Sequence, residues 1–128
     1  MNVARSNYVV HLVVRDLNAS RRFYVDLLGC TESPGAGGGF ARYRFVGEMG
    51  LVLAEPGAIP ELGDEVSRGV RLLLPVPDVE AARHVLQSRS AEPLSPLENG
   101  AWGRWLALTD PDGNAVWLVE PPRSRAPL

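Results

Sequence analysis

WGRWLALTDPDGNAVWLVE, residues 102–120, is the stretch whose reading decides the fold. Two apolar-rich runs, 105–108 and 115–119, flank Asp110, Pro111, Asp112, Gly113 and Asn114, all turn formers. The pattern predicts two antiparallel strands and a tight connection, with Pro111 at the first corner of a type I turn and Gly113 at a position with φ > 0. The two aspartates are therefore expected to build a turn, not a catalytic pair. Alternation along the hairpin puts Leu106 and Leu108 on one face and Trp105 and Ala107 on the other.

Working outward, residues 8–14 form a β-branched apolar run interrupted only by His11, too short for a helix and expected to be a strand. Asp16 then caps a helix over 17–28, with Leu17, Phe23, Tyr24, Leu27 and Leu28 mostly on one face and Gly29 as its terminator. Residues 33–39 are expected to be a flexible glycine-rich loop, followed by a hairpin made of 40–46 and 51–55. Residues 56–68, rich in Pro, Gly and acids, have no periodicity and read as a connection. After them the pattern restarts. Residues 70–76 read as a strand, Asp78 caps a helix with Val79, Ala82, Val85 and Leu86 on its apolar face, and 88–101 read as a loop into the closing hairpin.

The two halves share one order: strand, helix, hairpin. Asp16 and Asp78 lie 62 residues apart and the Glu-Pro pairs beginning at Glu55 and Glu120 lie 65 apart, so the halves superpose with a net insertion of three. The expected fold class is α+β, built from duplicated βαβββ modules with helices outside, and one strand of each module is not located by the sequence. The division is a single domain over 1–128, with module 1 at about 5–56, a linker at about 57–68 and module 2 at about 69–121.

Composition narrows the function. The chain has 128 residues and a formal charge of −2, with a pI near 5.7. It has no basic cluster, which disfavours nucleic acid as a partner. All thirteen cationic residues are Arg, a usage expected of a GC-rich bacterial genome. Cys30 is the only cysteine, so no intrachain disulfide and no cysteine metal cluster can form. No run of eighteen apolar residues and no signal-peptide pattern is present, so the expectation is a soluble cytoplasmic protein without a membrane partner.

The DPDGN hairpin ending in Glu-Pro, the opening segment VVRDLNASRRFYVDLLG at 13–29 and the duplication together resemble the glyoxalase, bleomycin-resistance and extradiol-dioxygenase superfamily, also called the vicinal oxygen chelate group. The resemblance spans essentially the whole chain. It implies curved mixed sheets around a cavity, a small-molecule ligand and a homodimer. It also implies a location for the metal ligands of metal-dependent members, which are His, Glu or Gln on the first and last strands of each module. Those positions here are Val9, Val52, Arg71 and Trp117, and none is a metal ligand. No metal and no cofactor are therefore expected. Glu55 and Glu120 lie three residues beyond Val52 and Trp117, on the opposite face, and are expected to end strands at the surface.

The expected ligand site follows from the inward faces that the resemblance implies. Val9, Val13, Val52 and Leu73 supply an apolar wall, Trp105 and Trp117 stacking surface, Trp102 the rim, and Arg71 with His11 the polar contacts. Arg71 sits among apolar neighbours and requires an anion, carbonyls or an aromatic face; Trp117 can provide that face. His11 is also a candidate general base, and His84 is expected to be solvated. No Ser-His-Asp order, nucleophile elbow or Cys-His pair is readable. The expected function is metal-free binding of an aromatic or acidic compound, such as an antibiotic. The alternative is a metal-dependent lyase, isomerase or dioxygenase of the same superfamily, so whether the protein is an enzyme stays open, with the ligand positions weighing against it.

Overall fold

The computed structural model describes residues 9–44, 49–91 and 95–122. Tyr8 of the expected first strand, residues 5–8 of module 1 and 45–48 of the first hairpin lie outside them. The chain divides into two compact units, Met1–Arg68 and Gly69–Leu128.

Unit 1 contains strand β1 (Val9–Val13), helix α1 (Leu17–Arg21) continuing as a π-helical stretch (Arg22–Leu27), then β2 (Thr31–Gly37), β3 (Phe40–Arg44) and β4 (Gly50–Ala54). They form one four-stranded sheet in the order β1-β4-β3-β2, with β1 parallel to β4 and the other pairs antiparallel. Unit 2 repeats this with β5 (Arg71–Pro75), helix α2 (Val79–Ser88), β6 (Glu98–Gly100), β7 (Gly103–Thr109) and β8 (Ala115–Glu120), in the order β5-β8-β7-β6. Both sheets are mixed, and the architecture is the duplicated α+β fold that the repeat predicts.

The duplication extends to individual hydrogen bonds. Val14 N donates to Ala54 O at 2.8 Å, and Val76 N donates to Val119 O at 2.8 Å. Asp16 accepts from the N–H groups of Asn18 and Ala19, and Asp78 accepts from that of Ala81, so both helices start on an aspartate cap. A second acceptor meets each helix. Glu55 Oε2 accepts from Leu17 N at 3.1 Å, and Glu120 Oε1 accepts from Val79 N at 3.0 Å. This corrects the expectation that the two glutamates merely end strands at the surface. The parity that takes them off the Val52 and Trp117 face points them at the helix side, where unpaired N–H groups and the positive end of the helix dipole favour a carboxylate.

Each helix covers one face of its own sheet. In unit 1 that face holds Leu12, Ala41, Tyr43, Leu51 and Leu53, all buried, with Tyr24 of the π-helical stretch fully buried as well. In unit 2 it holds Leu72, Leu106, Leu108, Val116 and Leu118 under Val79 and Leu86. Val85, expected on the apolar face, is instead 45% exposed. At about 100° per residue Leu86 returns beneath Val79, whereas Val85 lies roughly a third of a turn away.

Two segments expected to be loops contain strands. Within the 33–39 loop, β2 pairs with β3 as an edge strand whose register shifts between Ser33 and Gly37, and Gly38 and Gly39 (φ 60° and 84°) turn the hairpin. An edge position tolerates Pro34, which has no register partner in the ladder. Within the 88–101 loop, the three exposed residues of β6 pair with β7. These are the strands that the sequence left unlocated. The connection at 56–68 also holds a short 3-10 turn, Pro60–Leu62, and Ser67 pairs with the outer edge of β1 through Ser67 N to Val13 O and Val13 N to Ser67 Oγ. No described helix is long and apolar enough to cross a membrane.

Candidate functional site

Strand register places the predicted residues on the helix-free face of each sheet. In unit 2, Arg71 pairs with Ala115 and Leu73 with Trp117, while across β8 Ala107 pairs with Trp117 and Trp105 with Val119. Arg71, Leu73, Trp105 and Trp117 therefore share one face, with Trp117 on the middle strand.

The side chains on this face form a contiguous stack. The Trp105 and Trp117 rings are parallel within 2° with centroids 4.1 Å apart. Trp102, in the β6–β7 turn, meets Trp117 edge-on at 5.9 Å. The Arg71 guanidinium lies over the Trp117 ring, 4.9 Å from its centroid, a cation–π contact worth ~0.5 to 2 kcal/mol. Arg71 reaches Trp117 from β5 and Trp105 reaches it from β7, strands on opposite sides of β8. Arg71 is exposed, Leu73 is 43% exposed and Trp102 is 51% exposed, so the stack presents a surface.

Two glycines permit this arrangement. A Cβ on Gly100 would lie 3.2 Å from Trp105 Nε1 and 3.5 Å from Trp102 Nε1, so the indoles pack against bare backbone. Gly103 has φ +120°, and a Cβ there would overlap the carbonyl oxygen of Glu120. Next to it, Arg104 pairs with Glu120 at 3.2 Å, tying β7 to β8 at the end where the tryptophans stack. Glu98 shares the Trp105 face at the far edge, opposite Trp105 in register. It was missed because β6 carries no strand signal in its sequence.

In unit 1, His11 pairs with Val52, and Val9 and Val13 sit on either side of His11 on the same face. Val13 and Val52 are buried, His11 is exposed and Val9 is 51% exposed. Sequence reasoning also missed Arg42 and Arg44, which β3 brings to this face opposite Val52 and Gly50. The alternation of Phe40, Arg42 and Arg44 with buried Ala41 and Tyr43 was the available signal.

Val9 and Val52 share one sheet face, and Arg71 and Trp117 share the equivalent face of the other sheet. Two aliphatic groups, an indole and a permanent cation offer no donor set for a divalent ion. Among the described residues no three His, Cys, Asp or Glu side chains converge. Cys30 offers no nucleophile, because burial pushes its thiol up to about 12 and leaves it protonated at neutral pH. His84 is exposed on α2.

The family model for the glyoxalase/bleomycin resistance protein/dioxygenase superfamily matches residues 5–118. The chain belongs to that superfamily. Among solved structures of the superfamily fold, it is similar to TnmS3, an antibiotic binding protein from Streptomyces sp. CB03234, at 29% identity over 94% of this chain and 99% of that one, TM-score 0.72. A glyoxalase/bleomycin resistance protein from the same organism is 30% identical over 90% of this chain and 100% of that one, TM-score 0.69. The bleomycin-binding protein of Streptomyces verticillus, solved with copper(II)-bleomycin, shares the fold at 24% identity over 93% and 98% of the two chains, TM-score 0.66. Comparison with curated proteins finds no match. Superfamily membership and these relatives support a small-molecule-binding role at the family level.

Proposed function

We propose that this superfamily member binds a planar aromatic compound carrying an anionic or carbonyl group, an antibiotic being the natural candidate, and does so without a metal. The observation that carries this reading is the Arg71–Trp117–Trp105 stack. Parallel indoles with an exposed edge tryptophan offer rigid stacking area at low conformational cost. The guanidinium held over them has a fork that a carboxylate or carbonyl can engage. Val9, Val52, Arg71 and Trp117 at the metal-ligand positions support the metal-free part, and the antibiotic-binding relative supports the ligand class.

Two substitutions separate the roles. Arg71→Met keeps the approximate side-chain length but removes the fork, and should weaken anionic aromatic ligands by about 1.5 to 3 kcal/mol while affecting neutral ones less. Trp117→Ala should weaken both classes, because it removes stacking area. Fluorescence titration of the tryptophans with paired anionic and neutral aromatic probes reads both. Equal loss for the two classes in Arg71→Met, or no loss for either, would show Arg71 to be structural. Stoichiometric metal surviving dialysis in protein purified without an affinity tag would overturn the metal-free reading.

A further inference from the structure

The helix-free face of the unit 1 sheet is chemically unlike its counterpart in unit 2. Residues equivalent by the duplication differ in kind: Leu73 corresponds to His11, Ala107 to Arg42 and Thr109 to Arg44. The face carries Val9, His11 and Val13 on β1, Gly50, Val52 and Ala54 on β4, Phe40, Arg42 and Arg44 on β3, and Thr31 with Ser33 on β2. No carboxylate stands at any of these strand positions. Glu32 turns to the other face and pairs with Arg21 at 3.3 Å.

Three basic residues thus share one short span of this face. His11 and Arg42 are both register partners of Val52, so they flank it from either side, with backbones roughly 10 Å apart across two strand spacings. Arg44 lies two residues from Arg42, about 7 Å along the same strand. All three are exposed. Arg21, Arg83 and Arg104 are each paired with a glutamate, whereas among the described residues the side chains of His11, Arg42 and Arg44 have no hydrogen-bond or ion-pair partner. Two guanidiniums on adjacent outward positions of one strand repel each other, and a shared anion relieves that repulsion.

We infer that this face is an anion site that takes the phosphoryl group of a small molecule, held by Arg42 and Arg44 and completed by His11. The choice of phosphoryl over carboxylate follows from charge and shape. A phosphate monoester carries about −1.5 to −2 charge and three acceptor oxygens, which matches two forks and an imidazole better than a single carboxylate does. Thr31 and Ser33 add hydroxyl donors on the neighbouring strand. The inference concerns unit 1 alone and does not rest on the aromatic stack of unit 2.

The test is a titration of the full chain with inorganic phosphate, phenyl phosphate and benzoate at constant ionic strength, followed by NMR of backbone amides and the His11 ring. Saturable shifts on β1, β3 and β4 are expected with both phosphates, distinguishing a free ion from an ester by which of the two binds more tightly. Benzoate is expected to bind this face about tenfold more weakly. Arg42→Gln and Arg44→Gln should each weaken phosphate about tenfold or more with unchanged melting temperature, while Arg22→Gln, an exposed charge on the π-helical stretch, should not. Three results would overturn the assignment: no saturable shift with either phosphate, benzoate binding as tightly as phenyl phosphate, or equal weakening by Arg22→Gln.

Discussion

Asn114 is fully buried and both ends of its amide are engaged. Its Oδ1 accepts from Val70 N at 3.0 Å and its Nδ2 donates to Asp110 Oδ2 at 3.1 Å, while Asp110 Oδ1 accepts from the N–H groups of Asp112 and Asn114. The turn that announces itself as DPDGN therefore also anchors the start of β5, 44 residues earlier. Removing the amide leaves the half-buried N–H of Val70 and the buried Asp110 carboxylate each one partner short. Asn114→Ala is expected to lower stability by about 2 to 3 kcal/mol in urea unfolding, well above an exposed-turn substitution. Loss within 0.5 kcal/mol would mean that water replaces the amide. The Asp-Pro-Asp-Gly part of the turn was legible from residue type alone, whereas the reach of Asn114 to Val70 was not, because it depends on β5 lying beside β8.

At the scale of elements, a carboxylate from the last strand meets each helix start, and in unit 2 it also meets a cation. Donation from Val79 N–H, followed by the Arg104 guanidinium, holds the Glu120 carboxyl below the ordinary glutamate value of 4.5. A carboxyl held low in the folded chain contributes stability that is present above the unfolded value and is lost as pH falls through the folded one. The melting-temperature gap between wild type and Glu120→Gln should hold steady at neutral pH and shrink as pH drops below 4.5 toward the folded value. A gap independent of pH over that window would assign the effect to packing. Since Arg104 adjoins Trp105, the same pair fixes the end of β7 that carries the stack, and a strand-end Glu-Pro gives no hint of this. Both aspartate caps were legible, because a cap is read within three residues.

At the scale of the molecule, the 56–68 connection and the pairing habit of small two-module chains in this superfamily lead us to expect a homodimer. Light scattering at micromolar concentration should return twice the 13.9 kDa chain mass, and a monomeric mass would overturn the expectation. The sequence by itself determined the duplicated order, both helix starts, the closing hairpin and which residues alternate to either side of each predicted strand. Those features rest on turn chemistry, capping and period-two alternation, all of which act within a few residues. Tertiary structure alone decided that 31–37 and 98–100 are edge strands, since their Gly, Pro and polar residues carry no strand propensity and only a neighbouring ladder pairs their backbones. It also decided that Glu55 and Glu120 serve the helices, that Trp105 stacks on Trp117 beneath Arg71, and that Arg42 and Arg44 stand beside His11. Each of these is set by register across β4 or β8, a pairing between residues far apart in the chain that no local pattern encodes.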